Sequence, residues 1–383
     1  MDRRAALALF ATAGTAAVAG CAPRPDGTPP PTPGPTPAGT TAPTPTPTPT
    51  RTPTTTPTPT PAGPPTVGEP TDVVTGLTSP WGLALLADAT MLVSERDTGL
   101  IKRVSDGRAT EVVEVEDVEP SSEGGLLGIA VSPDETALYA YHTTGRDNRI
   151  TRFAWDGEAA TAPEVILDGI PYAARHDGGR LAFGPDGLLY VSTGDAAERR
   201  LAQEQSSLAG KILRLTPDGA PAPDNPFDNE VFSYGHRNVQ GLAFDDGDRL
   251  WASEFGNQTQ DELNLIRAGG NYGWPAIEGD ESTIEGMTNP VHTWSTDEAS
   301  PSGLAYTRGS LWMAALRGSR LWEIPLDDGK AGEPRDHFAG TYGRLRTVVA
   351  APDGSHLLLV TSNTDGRATP KSGDDRVLRV PLG

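Results

Sequence analysis

The sequence predicts an all-β protein whose main domain is a six-bladed β-propeller. Three observations carry that expectation. A strand–turn–strand string recurs six times, its recurrences lie 44 to 62 residues apart, and no stretch shows the period of a long amphipathic helix. A barrel or a sandwich would not need this repeat number, whereas six units of three or four short strands suit a propeller.

The chain begins with MDRRAALALFATAGTAAVAGC, in which arginines precede a short run of apolar and small residues that ends at Cys21. That is the layout of a secretory leader over residues 1–21, too short for a comfortable membrane span. Cys21 is the only cysteine. It resembles the lipid-modified cysteine of a lipoprotein, which would anchor the chain to the extracytoplasmic face of a membrane; the plainer reading is a chance cysteine near a cleavage site. Arg3 and Arg4 also suggest the twin-arginine route. With one cysteine, neither a disulfide framework nor a thiolate metal site is available.

Residues 22–66 are nearly all Pro, Thr, Gly and Ala. Proline fixes φ and favours an extended chain, and the stretch has little to bury, so it reads as a semi-rigid linker. The propeller is expected over residues 67–383.

Six strings define its blades: PWGLALLADATMLVSER, LLGIAVSPDETALYAYH, GGRLAFGPDGLLYVSTG, VQGLAFDDGDRLWASEF, PSGLAYTRGSLWMAAL and LRTVVAAPDGSHLLLVTS. Aligned, they put Gly82, Gly128, Arg180, Gly241, Gly303 and Thr347 at one equivalent position. Third strands follow in four units, at LIKRV, RITRF, KILRL and RLWEI, and DRVLRV closes the last. The PDG triplets at 185–187, 217–219 and 352–354 are hairpin chemistry and carry no functional weight.

Net charge is −20. Residues 1–66 hold four arginines and two aspartates, a balance of +2, so the propeller carries −22. A surface that acidic repels phosphate backbones and argues against nucleic acid as a partner.

In a propeller the first strand of each blade lines the central channel, and the residues just before it stand at the channel mouth. Two such places are rich in polar groups: RHDGG at 175–179, with His176, and YGHRNVQG at 234–241, with His236, Arg237 and Asn238. Imidazole, guanidinium and amide groups at one mouth suit an anionic or carbonyl-rich ligand. Equally, they could cap strands and bond neighbouring blades. The stretch SEFGNQTQDELNLIRAGGNYGWP, Ser253 to Pro275, offers glycines that free backbone carbonyls together with Glu254, Asp261 and Glu262 as hard oxygen donors. That set suits calcium better than zinc, although it lacks the DxDxDG ladder. No HxxxH pair and no GxSxG elbow occurs.

The order EGGLLGIAVSPD, HDGGRLAFGPDGLLYVSTGD, SLAGKILRLTPDG, YGHRNVQGLAF, SEFGNQTQDELNLIRAGGNYGWP and SPSGLAY resembles the glucose/sorbosone dehydrogenase family over about Val73 to Leu382. These are soluble or lipid-anchored aldose sugar dehydrogenases that use pyrroloquinoline quinone (PQQ) and calcium on a six-bladed propeller. The resemblance implies oxidation of an aldose to a lactone, with electrons passed to an external acceptor. It makes His176 the base that takes the sugar's proton, a task for which an imidazole is suited, and it places Arg237 and Asn238 on a quinone oxygen. It gives Arg317, Arg344 and Arg346 to the cofactor's carboxylates. It gives the Gly256 and Asn257 carbonyls to the cofactor's calcium, and Glu262 and Tyr272 to a second, structural calcium. Glu123 stands where the family has a glutamine near the quinone, and Glu298 where it has a threonine. Beyond Trp294, the aromatics expected to stack on the cofactor are not evident. Those departures point to a second reading, a sugar- or surface-binding propeller that has lost PQQ. A third is a calcium-dependent lactonase-like hydrolase, against which stands the lack of a clear Glu, Asn and Asp set from separate blades.

Overall fold

The computed structural model describes residues 65–280 and 282–383. The leader-like residues 1–21 with Cys21, and the Pro/Thr-rich residues 22–64, lie outside the described residues.

Six antiparallel sheets form the six blades. From the inner strand outward, blade 1 is Pro80–Leu85, Met91–Glu95, Leu100–Ser105 and Arg108–Glu114. Blade 2 is Leu126–Val131, Ala137–Thr143, Asn148–Trp155 and Ala160–Ile170. Blade 3 is Leu181–Phe183, Leu189–Ser192, Lys211–Leu215 and Val231–Tyr234. Blade 4 is Val239–Phe244, Leu250–Glu254, Gln260–Ile266 and His292–Ser295. Blade 5 is Pro301–Thr307, Ser310–Ala315 and Arg320–Asp327, edged by Lys330–Ala331 and Arg335–His337. Blade 6 is Leu345–Ala350, His356–Thr361 and Arg376–Pro381, completed by Thr71–Thr75 from the start of the domain.

That borrowed strand closes the ring. Thr71–Thr75 pairs antiparallel with Arg376–Pro381, Thr66 and Gly383 exchange backbone hydrogen bonds, and the inner strands of blades 6 and 1 touch. The repeats foreshadow the other five closures but not this one, because Thr71–Thr75 has no repeat partner. The sequence also hides the third strand of blade 4: QDELNLI, noted there only for its oxygen donors, is the strand Gln260–Ile266.

Each blade packs face to face on the next, so its second strand is buried on both faces; Met91–Glu95, Leu250–Glu254 and Ser310–Ala315 are buried throughout. This is why those strands read as near-continuous apolar runs. At the axis the inner strands converge closely. A Cβ at Gly303 would stand 2.7 Å from Thr347 Cα, and at Gly82 2.9 Å from the Ile129 nitrogen. Blade 3 has Arg180 at this position, and its guanidinium crosses the channel. Nε donates to the Gln240 carbonyl at 2.8 Å and Nη2 to Thr347 Oγ1 at 3.1 Å, with Trp81 beneath the group at 4.2 Å. The two residues that break the glycine pattern, Arg180 and Thr347, therefore meet across the channel, and Arg180 plugs it. Among the described residues the only helical segment is the 3₁₀ turn Arg199–Gln203.

Candidate active site

His176 sits immediately ahead of the inner strand of blade 3 with φ of +66°. A residue other than glycine pays about 1 kcal/mol for that left-handed conformation, so its neighbours must hold it. Glu123 Oε2 accepts the His176 N–H at 2.8 Å, and the His176 carbonyl accepts from Ala196 N–H at 3.2 Å. On the ring, Nδ1 lies 2.7 Å from Asp195 Oδ1 and Nε2 lies 2.8 Å from Arg237 Nη2. A guanidinium only donates, so Nε2 carries the lone pair and Nδ1 carries the proton given to Asp195. Asp195 is itself fixed by Trp274 Nε1 on Oδ2 at 2.7 Å and by Ala197 N–H on Oδ1 at 2.8 Å. Burial opposes its ionisation, but these donors, His176 first, outweigh burial and hold its carboxyl below the ordinary range.

The motif GHRN divides its labour. His236 is fully buried between Glu254 Oε2 and Ser233 Oγ, both at 2.8 Å, and stacks on Tyr272 with ring centres 4.7 Å apart. It braces blades rather than facing the mouth, so the capping alternative holds for this residue. Asn238 Oδ1 accepts the Gly178 N–H at 3.0 Å and ties the two polar segments together. Arg237 reaches His176 and the Phe255 carbonyl, at 3.3 Å, and lies over Trp274 at 5.5 Å; its backbone N–H is bonded to Glu254 Oε1. Its Nε is buried without a hydrogen-bond partner among the described residues, and burial lowers its pKa.

Around the proposed calcium loop one side chain organises the backbone. Glu278 Oε1 accepts from the N–H groups of Asn257, Gln258, Thr259 and Gln260, at 2.8, 2.7, 2.8 and 3.3 Å. A trans peptide unit points its C=O opposite to its N–H. The Gly256 and Asn257 carbonyls therefore face away from Glu278 and form an acceptor pair suited to a hard cation. Gly256 is required there, because a Cβ would occupy the space of the Gln260 carbonyl.

Of the carboxylates of this stretch, Glu254 and Glu262 meet on Asn264 Nδ2, at 3.3 and 3.0 Å, but all three are committed to protein donors. Glu254 serves His236 and Arg237. Asp261 accepts from Gly256 and Ser300 N–H groups, at 2.8 and 2.6 Å, and burial pushes its carboxyl up to about 6. Glu262 accepts from Gly279 N–H at 2.7 Å and from Asn264 at 3.0 Å; burial first, then Glu254, pushes its pKa well up. The Tyr272 hydroxyl is committed to the Leu265 carbonyl and the Arg267 N–H, which leaves only its backbone for a metal. No three His, Cys, Asp or Glu side chains among the described residues are set to hold a metal. Hence the carbonyl pair, not a carboxylate cage, is the better-formed cation site.

Blade 6 supplies the basic wall. Asp365 Oδ2 lies 3.0 Å from Arg344 Nη2 and 3.6 Å from Arg346 Nη2. Arg346 also donates to Gln240 Oε1 at 2.8 Å; its Nε is buried without a partner among the described residues, and burial pushes its pKa down to about 9. Arg317 is exposed and pairs with Asp297 at 2.6 Å; with Arg344 and Arg367 it lines a cavity of about 480 Å³.

The departures resolve differently. Glu123 gives one oxygen to His176 and the other to Arg367 Nη2 at 2.9 Å, so its charge is compensated. Glu298 is exposed, with its carboxylate on Ser295 Oγ at 2.6 Å. Trp294 lies in the core of blades 4 and 5, packed on His292 and Trp322. It is no platform for a cofactor.

The donor set fits a polyanion held with a cation: Arg237 and Arg346 each keep a buried Nε without a partner among the described residues, and Arg237 reaches the Phe255 carbonyl next to the Gly256 and Asn257 pair. An imidazole whose Nε2 lone pair is met by Arg237 completes this site at the mouth of a six-bladed propeller. The chain belongs to the glucose/sorbosone dehydrogenase family, whose profile matches residues 77–370. It is similar to the PQQ-bound aldose sugar dehydrogenase of Streptomyces coelicolor, with 54% identity and a TM-score of 0.81 over 85% of this chain and 100% of that one. It also resembles a glucose dehydrogenase-type oxidoreductase of Thermus, at 42% identity and a TM-score of 0.76 over 82% and 99% of the two chains. The aldose sugar dehydrogenase YliI of Escherichia coli is 29% identical over 331 residues, 76% of this chain and 89% of that one.

Proposed function

We propose that this protein oxidises aldose sugars to lactones with PQQ and calcium and passes the electrons to an external acceptor. The observation that carries the reading is the tautomer of His176, fixed from both sides with Nε2 basic. His176 Nε2 takes the proton of the sugar's anomeric hydroxyl, and Asp195 stabilises the imidazolium that results. Arg237 moves off Nε2 as that hydroxyl arrives and stays within reach of a developing oxyanion. Arg344, Arg346 and Arg317 would receive the cofactor's carboxylates, Arg237 and Asn238 a quinone oxygen, and the Gly256 and Asn257 carbonyls its calcium. Bound there, PQQ supplies the carbon that accepts hydride from the sugar C1. Glu262 and the Tyr272 backbone remain the proposed ligands of a structural calcium.

The binding-module reading loses two of its three supports, since Arg367 compensates Glu123 and Glu298 lies on the surface; the core position of Trp294, which leaves no stacking aromatic in view, is the one that stays with it. The leader-like residues 1–21 and Cys21 support an extracytoplasmic, lipid-anchored location. No helix among the described residues is long and apolar enough to cross a membrane.

A reconstitution assay tests the function. The purified chain is incubated with PQQ and calcium, aldoses are added with an artificial dye acceptor, and the product is analysed. Dye reduction that needs both additives and yields lactone is expected. No reduction with any aldose would overturn the reading.

A further inference from the structure

Glu123, in the connection between blades 1 and 2, grips the segment that carries His176 at two points. Its backbone N–H donates to the Ala174 carbonyl at 3.3 Å, and its Oε2 accepts the His176 N–H at 2.8 Å. Its Oε1 is held by Arg367, 244 residues away in the loop of blade 6 that joins His356–Thr361 to Arg376–Pro381. That loop is firmly rooted. Asp375 accepts from the N–H groups of Asn363 and Thr364, at 2.6 and 2.9 Å, and Asp365 accepts the Arg367 N–H at 3.0 Å while it holds Arg344 and Arg346.

A neutral amide at position 123 would accept the His176 N–H equally well and need no counter-charge. A carboxylate there faces the region where the arginines await an anion, and uncompensated it would repel that anion. Arg367 removes the repulsion by lying against Oε1 on the rim of the arginine-lined cavity.

We propose that Glu123 and Arg367 form a charge-compensated brace across the channel mouth: Glu123 is a positioning residue that holds His176 in its left-handed conformation, and Arg367 keeps the Glu123 charge from opposing an anionic cofactor. The second half of this proposal rests on the PQQ reading; the first does not.

Two measurements on the full chain separate the halves. Amide exchange is followed without cofactor in the parent, E123Q and E123A. The His176 amide is expected to exchange at least about tenfold faster in E123A, while strand Ser310–Ala315 is unchanged, and E123Q should restore protection because its amide oxygen still accepts. PQQ affinity is then measured by fluorescence quenching in the parent, R367M and the double variant E123Q/R367M. R367M should bind about tenfold more weakly, a modest loss because the pair is partly exposed, and the double variant should recover parental affinity.

Parental exchange in E123A overturns the positioning role. Parental affinity in R367M, or no recovery in the double variant, overturns the compensation. If the parent itself binds no PQQ, the functional reading and the compensation fall together, while the exchange result still decides the positioning role.

Discussion

Arg237 Nη2 lies 2.8 Å from His176 Nε2, and this contact determines where the histidine proton resides. The donor on one side and Asp195 on the other leave a single neutral tautomer, the one competent to accept a proton at Nε2. Most of the catalytic argument follows from that pair.

Asp195→Asn would break the arrangement without changing its size. Trp274 Nε1–H and the Nδ1–H of His176 both need an acceptor, and an amide has only one oxygen. Either the indole meets an NH₂ group or the imidazole turns its lone pair inward. The turnover number should fall at least about a hundredfold with cofactor affinity kept, as measured by stopped-flow absorbance and quenching.

His176→Ala and Arg237→Ala should separate chemistry from binding. The first removes the base and lowers turnover by roughly 10²-fold to 10⁴-fold with PQQ affinity largely intact. The second removes a group that contacts His176 and that the proposed function also sets on the quinone oxygen, so it should weaken affinity and turnover together. Parallel titrations and rate assays on the two variants read the difference.

Gly256→Ala tests the cation cradle. The added Cβ would displace the Gln260 carbonyl and turn the acceptor pair. Calcium affinity, read by isothermal titration, should drop at least about tenfold while the propeller's circular dichroism is unchanged.

Asp177 gives a stability signature. It is buried, its Oδ2 lacks a partner among the described residues, and burial pushes its carboxyl up to about 6 from 3.8. A carboxyl raised on folding holds its proton better in the folded chain. Its stabilisation is therefore complete below pH 4 and lost as pH rises through 6, at most about 3 kcal/mol. Asp177→Asn should cancel that contribution, so the Tm difference between parent and variant should change between pH 4 and 6 and level off above.

The blades were legible because hairpin turns and glycines close to the axis are local signals: the Gly82, Gly128, Gly241 and Gly303 series marks four inner strands, and PDG triplets mark turns in the other two blades. His176, Arg237 and Asn238 stood out because each precedes an inner strand. Their partners did not. Asp195 follows a strand in an ordinary-looking loop, Trp274 sits in a glycine-rich turn, and Glu278, Asp365 and Arg367 act across 18 to 244 residues with no shared period. The strand Thr71–Thr75 was hidden for the same reason, since its partner lies at the other end of the domain. The strand Gln260–Ile266 was missed because its acidic residues drew attention as oxygen donors; in it, Asp261 and Glu262 accept from backbone N–H groups.

The most direct test is a single-turnover titration of the purified chain. PQQ is added with and without calcium until binding saturates, excess is removed, and an aldose is introduced while the quinone absorbance is followed. Calcium-dependent binding followed by stoichiometric bleaching on addition of sugar, lost in His176→Ala, is the expected result. Saturable PQQ binding with no bleaching by any aldose would contradict the assignment of His176 as the base in sugar oxidation.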